Sequence, residues 1–138
     1  MAINFSCNTK FPFSSRLKTK AWIKQIIAQY GKQCGDISYI FDTDEQVLNV
    51  NKQYLNHDYY TDIITFDYVE GDVISGDIVI SIDRIKENAE NFHTSFDNEL
   101  HRVIIHGVLH LLGFEDHSPQ EDKIMRQKEN EALAIFYQ

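Results

Sequence analysis

The sequence of 138 residues contains few of the residues that mark disulfide-bonded or multidomain proteins. It has two cysteines, two prolines and six glycines. Cys7 and Cys34 form no CxxC pair, so neither a disulfide framework nor a cysteine-bound zinc site is indicated, and a reducing compartment fits. No stretch rich in serine, glycine and proline could link two domains. We therefore predict a single domain over residues 1–138.

Long hydrophobic runs are also missing. No apolar run approaches the roughly 18 residues that a membrane-spanning helix needs. The first residues lack the basic segment and apolar core of a secretory signal peptide. These absences predict a soluble, cytoplasmic protein with no membrane partner.

Acidic residues are missing from one part of the chain. The sequence carries 21 acidic and 13 basic side chains, a formal net charge of −8. Residues 1–34 hold six of the lysines and arginines and no acid, whereas residues 35–138 hold the other seven and all 21 acids. The total argues against a protein that coats nucleic acid or anionic membranes. The basic segment is either a solvated helix face or a docking surface for a polyanion, and charge alone leaves both open.

Local patterns predict an α+β fold, with a mixed sheet of about four strands packed against about five helices. Alternating, β-branched and aromatic residues predict strands at 3–7, 37–41, 62–69 and 77–82. The last two strands are expected to form a hairpin with a turn near residues 70–72. Helices are predicted after Ser14 or Ser15, after Thr43 and Asp83, over residues 96–112, and after Ser118.

One segment concentrates residues that bind metals. His106 and His110 are four residues apart on a predicted helix, so both imidazoles can point at one ion. Gly113 can end the helix in a left-handed conformation, which would return either Asp116 or His117 to that ion. Three protein ligands plus water are typical of a catalytic zinc, which lowers the pKa of its water toward ~7. The pattern favours a metal-dependent hydrolase.

The residue after the first histidine argues against ordinary metallopeptidase chemistry. An HExxH peptidase needs glutamate there as general base, and this chain has Gly107. The glycine is interpreted as space for a bulky substrate beside the metal. The remaining histidines, His57, His93 and His101, have no ligand spacing to this segment and are predicted to lie on the surface.

The histidine segment is part of a longer series of matches. Residues 106–114 match the first nine positions of the signature HGxLHLxGYDH, with Phe114 in place of tyrosine. Further matches are residues 48–54 and 61–66 to LN..YR...PTDVLSF, residues 76–81 to GDI.IS, and residues 125–133 to a closing helix. Their order from about residue 40 onward is more specific than one motif. The sequence thus resembles the bacterial YbeY family of metal-dependent endoribonucleases.

The resemblance implies a function more specific than hydrolysis. It implies an α+β fold with one zinc ion per chain at the end of the histidine helix, and cleavage of single-stranded RNA. It also implies work on ribosomal RNA precursors, including the 3′ end of 16S rRNA, and in ribosome quality control. The expected partners are rRNA, the ribosome and ribosome-associated proteins.

Two positions depart from the family pattern. The family's third ligand is a histidine ten residues after the first, and here that position is Asp116. Ungapped alignment favours Asp116 as the ligand, whereas a one-residue insertion would restore His117. In the family, an arginine that is expected to contact the phosphate or the transition state follows the tyrosine. Here that position is Leu55, and Arg102, one turn before His106, is the candidate for this substrate contact.

We therefore predict a zinc-dependent endoribonuclease with His106, His110 and Arg102 as catalytic residues. No general base is identified, although Glu115 is close in sequence. Asp62 matches the family's TD pair and is either a turn or cap residue or a catalytic one. Two alternatives stay open: an atypical metallopeptidase-like hydrolase, and a non-catalytic ribosome assembly factor with a structural metal.

Overall fold

The computed structural model describes residues 2–138, which form four strands and five helices. In chain order these are β1 (Ile3–Cys7), α1 (Arg16–Gln29), β2 (Gln33–Asp42), α2 (Asp44–Leu55), β3 (Ile63–Asp67), β4 (Val73–Ser81), α3 (Ile82–Asn91), α4 (Phe96–Leu111) and α5 (Pro119–Phe136). The α+β class and the approximate number of elements are confirmed.

The four strands form one mixed sheet in the order β1-β2-β4-β3. β1, β2 and β4 are parallel, and β3 runs antiparallel to β4, with Ile63 opposite Ile80 and Asp67 opposite Gly76. The predicted hairpin is therefore present. Its connection includes Gly71 at a φ of 57°, a conformation that glycine adopts without steric cost.

The two faces of the sheet are covered unequally. Ile37, Tyr39 and Phe41 on β2 belong to the main core, which also includes buried residues of α1, α4 and α5. On the other face, a smaller cluster joins Val47 of α2 to Ile64 and Val79. The alternation of side chains along each strand separates these two sets.

Local sequence signals set most helix ends. Thr43, Ser81, Ser95 and Ser118 each precede a helix and accept a hydrogen bond from the backbone N–H three residues later. Each cap satisfies one of the donors that a helix start leaves unpaired. Ser15 precedes α1 without such a side-chain bond. The helix starts were accordingly predictable to within about two residues.

Two strands are longer than predicted. β2 begins at Gln33 and β4 at Val73, where Gln33 pairs with Val73 and Cys34 with Ile74 before a register shift. These extensions are stabilised by pairing between segments about forty residues apart, so no local pattern reveals them.

Gly107 allows α4 to lie close on the sheet. A Cβ there would meet Ile78 Cδ1 at 2.9 Å and Ile63 Cδ1 at 3.2 Å. The expectation that this glycine leaves room for substrate is wrong, because the position faces the core. A glutamate in the HExxH position would have to enter the same packed contact.

Within residues 2–138, no helix is both long and apolar enough to cross a membrane.

Candidate metal centre

Three potential ligands converge at the end of α4. His106 and His110 are one turn apart, with ring centroids separated by 4.6 Å. Gly113 has a φ of 106°, and the chain turns back there. Asp116 Oδ2 then lies 3.4 Å from His106 Nε2 and 3.5 Å from His110 Nε2. One atom from each side chain lies within 4.8 Å of the other two, so this triad could hold a metal ion.

The structure brings Asp116, and not His117, beside the two histidines. His117 is 77% exposed, and its Nε2 lies 2.9 Å from Glu115 Oε2. Two imidazoles and a carboxylate are a donor set found in catalytic zinc sites, with the fourth position open. The chemistry of the triad therefore fits zinc, and the assignment of each ligand stays a prediction.

Glu129 of α5 contacts His106 at Nδ1, the ring nitrogen that does not face Asp116. Its side chain is 7% exposed, and its Oε2 lies 2.6 Å from His106 Nδ1. Arg102 Nη1 donates to Glu129 Oε1 at 3.0 Å, and Arg102 Nη2 donates to Asn130 Oδ1 at 2.8 Å. The guanidinium proposed as a substrate contact is thus directed at α5. These contacts do not test the catalytic role of Arg102, which stays a prediction.

The contact between Glu129 and His106 changes both pKa values. Burial lowers the pKa of His106, but the hydrogen bond and charge of Glu129, with the charges of Asp116 and Asp62, together raise this pKa above its ordinary value. Burial raises the pKa of Glu129, but its hydrogen bonds to His106 and Arg102 lower it overall. Glu129 is therefore ionised, and His106 donates its Nδ1–H to Oε2. When His106 is neutral, this hydrogen bond leaves the lone pair on Nε2, which faces Asp116 and His110.

The triad opens into a groove of about 470 Å³. Asp62 lies in its wall, and burial raises the pKa of that carboxyl group even though His106 opposes the shift. Leu55, where the family signature has arginine, also lines the groove, as do His57 and Tyr59. None of the described residues lining the groove is a lysine or arginine.

Comparisons with known proteins identify the family of this chain. The family model described as Endoribonuclease YbeY matches residues 4–137. The chain belongs to the YbeY family. A Bacteroides thetaiotaomicron protein named Endoribonuclease YbeY is 54% identical over 136 residues, covering 98% of this chain and 99% of that protein. The Parabacteroides distasonis protein of the same name is 57% identical over 127 residues, covering 92% and 89% respectively.

A solved structure shares the fold. The solution structure of TM1509 from Thermotoga maritima matches with a TM-score of 0.72 and 27% sequence identity, covering 99% of this chain and 89% of that chain. The expectation of a YbeY-family enzyme is confirmed, because the relatives are named endoribonucleases, a class that hydrolyses RNA phosphodiester bonds.

Sequence reasoning missed one residue of this YbeY site and misplaced one histidine outside it. Glu129 lies four residues after Met125 on the buried side of α5, so an acid within an apolar stripe was the available signal. His101 is 2% exposed, so its predicted surface position is wrong, whereas His57 and His93 are exposed as expected.

The misplaced histidine has a specific environment. Tyr137 Oη lies 2.8 Å from His101 Nδ1, and Ser15 Oγ and Thr19 Oγ1 lie 3.2 and 3.3 Å from His101 Nε2. These contacts satisfy both ring nitrogens of a buried imidazole. His101 therefore connects α4 to α1 and to the C-terminal end of the chain, away from the triad.

Proposed function

We propose that this protein is a zinc-dependent endoribonuclease that cleaves single-stranded RNA. We further propose that it acts in the cytoplasm, as one functional domain over residues 1–138, on ribosomal RNA precursors. Its tasks would include maturation of the 16S rRNA 3′ end and ribosome quality control. The observation that carries the proposal is the His106, His110 and Asp116 triad in an open groove of a YbeY-family chain.

The residues present fit one zinc ion per chain. His106 and His110 would supply two imidazole nitrogens, and Asp116 would supply a carboxylate oxygen. When bound at such a site, zinc supplies Lewis-acid chemistry and a lowered pKa for water, which suits hydrolysis of a phosphodiester at neutral pH.

The protein's own groups prepare the site for that chemistry. Glu129 holds the Nδ1 proton of His106 and so fixes the ring with Nε2 toward the groove. Arg102 holds Glu129 in place through Oε1. Because both contacts lie behind His106, the groove side of the triad stays open to substrate. This arrangement supports the proposed catalytic roles of His106 and His110, and Arg102 would act through Glu129.

A separate surface is proposed for the ribosome. We define the basic surface as Lys10, Arg16, Lys18, Lys20 and Lys24. Several of its cations lie over aromatic rings: Arg16 over Phe13 at 5.3 Å, Lys18 over Phe136 at 4.3 Å, and Lys20 over Phe5 at 5.5 Å. Such contacts limit the positions of the charges. Ribosomal RNA phosphates, with ribosome-associated proteins nearby, are the partners that this charge favours.

Metal content and RNA cleavage together test the proposal. The purified protein should contain about one zinc per chain and should cut a single-stranded oligoribonucleotide. A chelator should abolish cleavage, and added zinc should restore it. His110→Ala should lose both zinc and cleavage, because two remaining ligands hold the ion poorly.

His117→Ala is the matched control, because it removes a neighbouring histidine that lies outside the triad. It should keep zinc and activity. Cleavage that survives complete metal removal would overturn the proposal. Normal rRNA processing by a folded, zinc-free His110→Ala variant would instead support a non-catalytic assembly factor, and cleavage of protein alone would support a peptidase.

A further inference from the structure

The 470 Å³ groove lacks the cationic side chains that usually hold RNA, whereas Arg102 and Arg126 line a separate cavity of about 270 Å³ next to His106 and Asp116. Phosphates are normally bound by lysine and arginine, and none of the described residues that line the groove is either one. Asp62, Asp67, Glu115 and Asp116 add negative charge to its walls. Apart from a metal ion at the triad, this groove therefore offers the phosphates of a strand no cation, and further affinity there has to come from other interactions.

Two exposed aromatic side chains line the same groove. The rings of His57 and Tyr59 are stacked, with centroids 5.1 Å apart and planes 20° from parallel. Tyr59 Oη lies 3.0 Å from His57 Nδ1, which links the two rings at their edges as well. We define this pair as the aromatic platform.

The platform lies on a loop that is fixed at its base. Asn51 is 2% exposed, and its Nδ2 donates to the Tyr59 carbonyl oxygen at 2.9 Å. The backbone N–H of His57 donates to the Asn51 carbonyl oxygen at 3.1 Å. A buried residue of α2 therefore holds both residues of the platform, which reduces the entropy cost when a ligand stacks on them.

We propose that the aromatic platform binds one unstacked nucleobase of an RNA strand whose neighbouring phosphate lies at the triad. This inference rests on the proposed function and adds to it a subsite for the base. Stacking on aromatic rings tolerates any base and requires a free base face, which a duplex does not offer. The platform therefore favours single-stranded substrates with little sequence preference.

Steady-state kinetics of the zinc-loaded protein on a single-stranded oligoribonucleotide test the platform. Tyr59→Ala should raise KM by about 5- to 150-fold, the range expected for removal of one stacking interaction, with kcat nearly unchanged. Tyr59→Phe keeps the ring and should restore most of the affinity. Tyr59→Leu keeps apolar bulk without a flat ring and should resemble Tyr59→Ala.

Tyr68→Ala is the matched control. Tyr68 is 56% exposed and Tyr59 is 55% exposed, but Tyr68 lines a different cleft with Tyr54 and Phe66. Its replacement should leave KM unchanged. Zinc content and thermal melting show whether each variant is folded and loaded.

Abasic substrates make the test specific for a base. In an oligoribonucleotide with one abasic residue, wild-type cleavage should fall most at the one phosphodiester bond whose neighbouring base is missing, and Tyr59→Ala should show no such local decrease. An unchanged KM in Tyr59→Ala, or equal wild-type cleavage at every bond around the abasic residue, would overturn the platform alone. A wild-type protein that neither cleaves nor binds single-stranded RNA, the latter measured by fluorescence anisotropy, would overturn the proposed function as well.

Discussion

His101 and His106 lie five residues apart on α4 and have opposite electrostatic surroundings. His101 faces α1, and burial lowers its pKa, with Lys18 adding to the shift and Asp97 opposing it. His106 faces α5 and the groove, where Glu129 raises its pKa in spite of burial. The first half of the helix therefore holds a neutral, structural histidine. The second half holds one that is hydrogen-bonded to a carboxylate and available to a metal.

The contrast extends to the surfaces at these two regions. The basic surface lies on the segment before β2, where the sequence has no acidic residue before Asp36. The described residues lining the groove include four carboxylates and no lysine or arginine. In the proposed function, long-range attraction of RNA and chemistry on RNA therefore belong to different regions, and the two arginines near the triad, Arg102 and Arg126, are paired with Glu129.

The largest expected effect comes from removing the carboxylate of the triad. Asp116→Ala should lose bound zinc and RNA cleavage, because two histidines are left to hold the ion. The loss should exceed the roughly 10- to 100-fold drop in metal affinity that changes behind a ligand produce. Zinc affinity measured by competition with a chelating dye checks it. Retention in Asp116→Ala together with loss in His117→Ala would reverse the assignment.

A smaller effect on zinc binding is expected from changing Glu129, which contacts His106. Glu129→Gln removes the charge that orients His106 and should weaken zinc binding by about 10- to 100-fold. The visible spectrum of the cobalt-substituted protein should also shift as the His106 ligand field changes. Glu131→Gln, an exposed acid on the same helix, should change neither.

Arg102→Gln separates the two roles considered for that residue. It should weaken zinc binding less than Glu129→Gln, since it acts only through Glu129. A drop in kcat with zinc affinity unchanged would instead mean that Arg102 contacts the substrate.

The basic surface should affect RNA binding through its dependence on salt. Replacing Lys18, Lys20 and Lys24 with glutamine should reduce the salt slope of single-stranded RNA affinity by about 2, at about 0.7 for each phosphate that is no longer neutralised. Tyr59→Ala should lower affinity without changing that slope. An unchanged slope in the triple variant would show that this helix face is only solvated.

The smallest expected effect is on the pH dependence of stability, through the buried histidine His101. Because the folded pKa of His101 lies below its ordinary value of 6.5, the unfolded chain binds a proton at a higher pH than the folded chain does. Stability should therefore decrease as pH falls below about 6.5. His101→Gln should make this decrease shallower in thermal melts from pH 7.5 to 5, and an identical decrease in both proteins would contradict the assignment.

The site was predictable from sequence to the extent that its geometry is local. His106 and His110 share a helix face because 3.6 residues form one turn, and Gly113 ends that helix because glycine accepts a positive φ. The same short-range rules predicted the caps at Thr43 and Ser118. Each of these features depends on atoms within about four residues of one another.

The remaining features depend on contacts between distant segments. Whether Asp116 or His117 faces the histidines depends on how the loop after Gly113 packs. A shift of the loop by one residue would put His117 in the place of Asp116. Glu129 reaches His106 only because α5 packs against α4, across 23 residues of sequence.

The amino-acid sequence by itself determined the α+β class, the separation of charge and the pair of histidines on one helix face. Helical periodicity and capping depend on residues close together in the sequence, and composition depends on no contacts at all, so all three can be determined from the sequence. Only the tertiary structure decided that Gly107 faces the sheet, that His101 is buried and that Tyr59 lines the groove. Those outcomes arise from packing between α4, α1 and β4 and from the loop after α2, which no local pattern specifies.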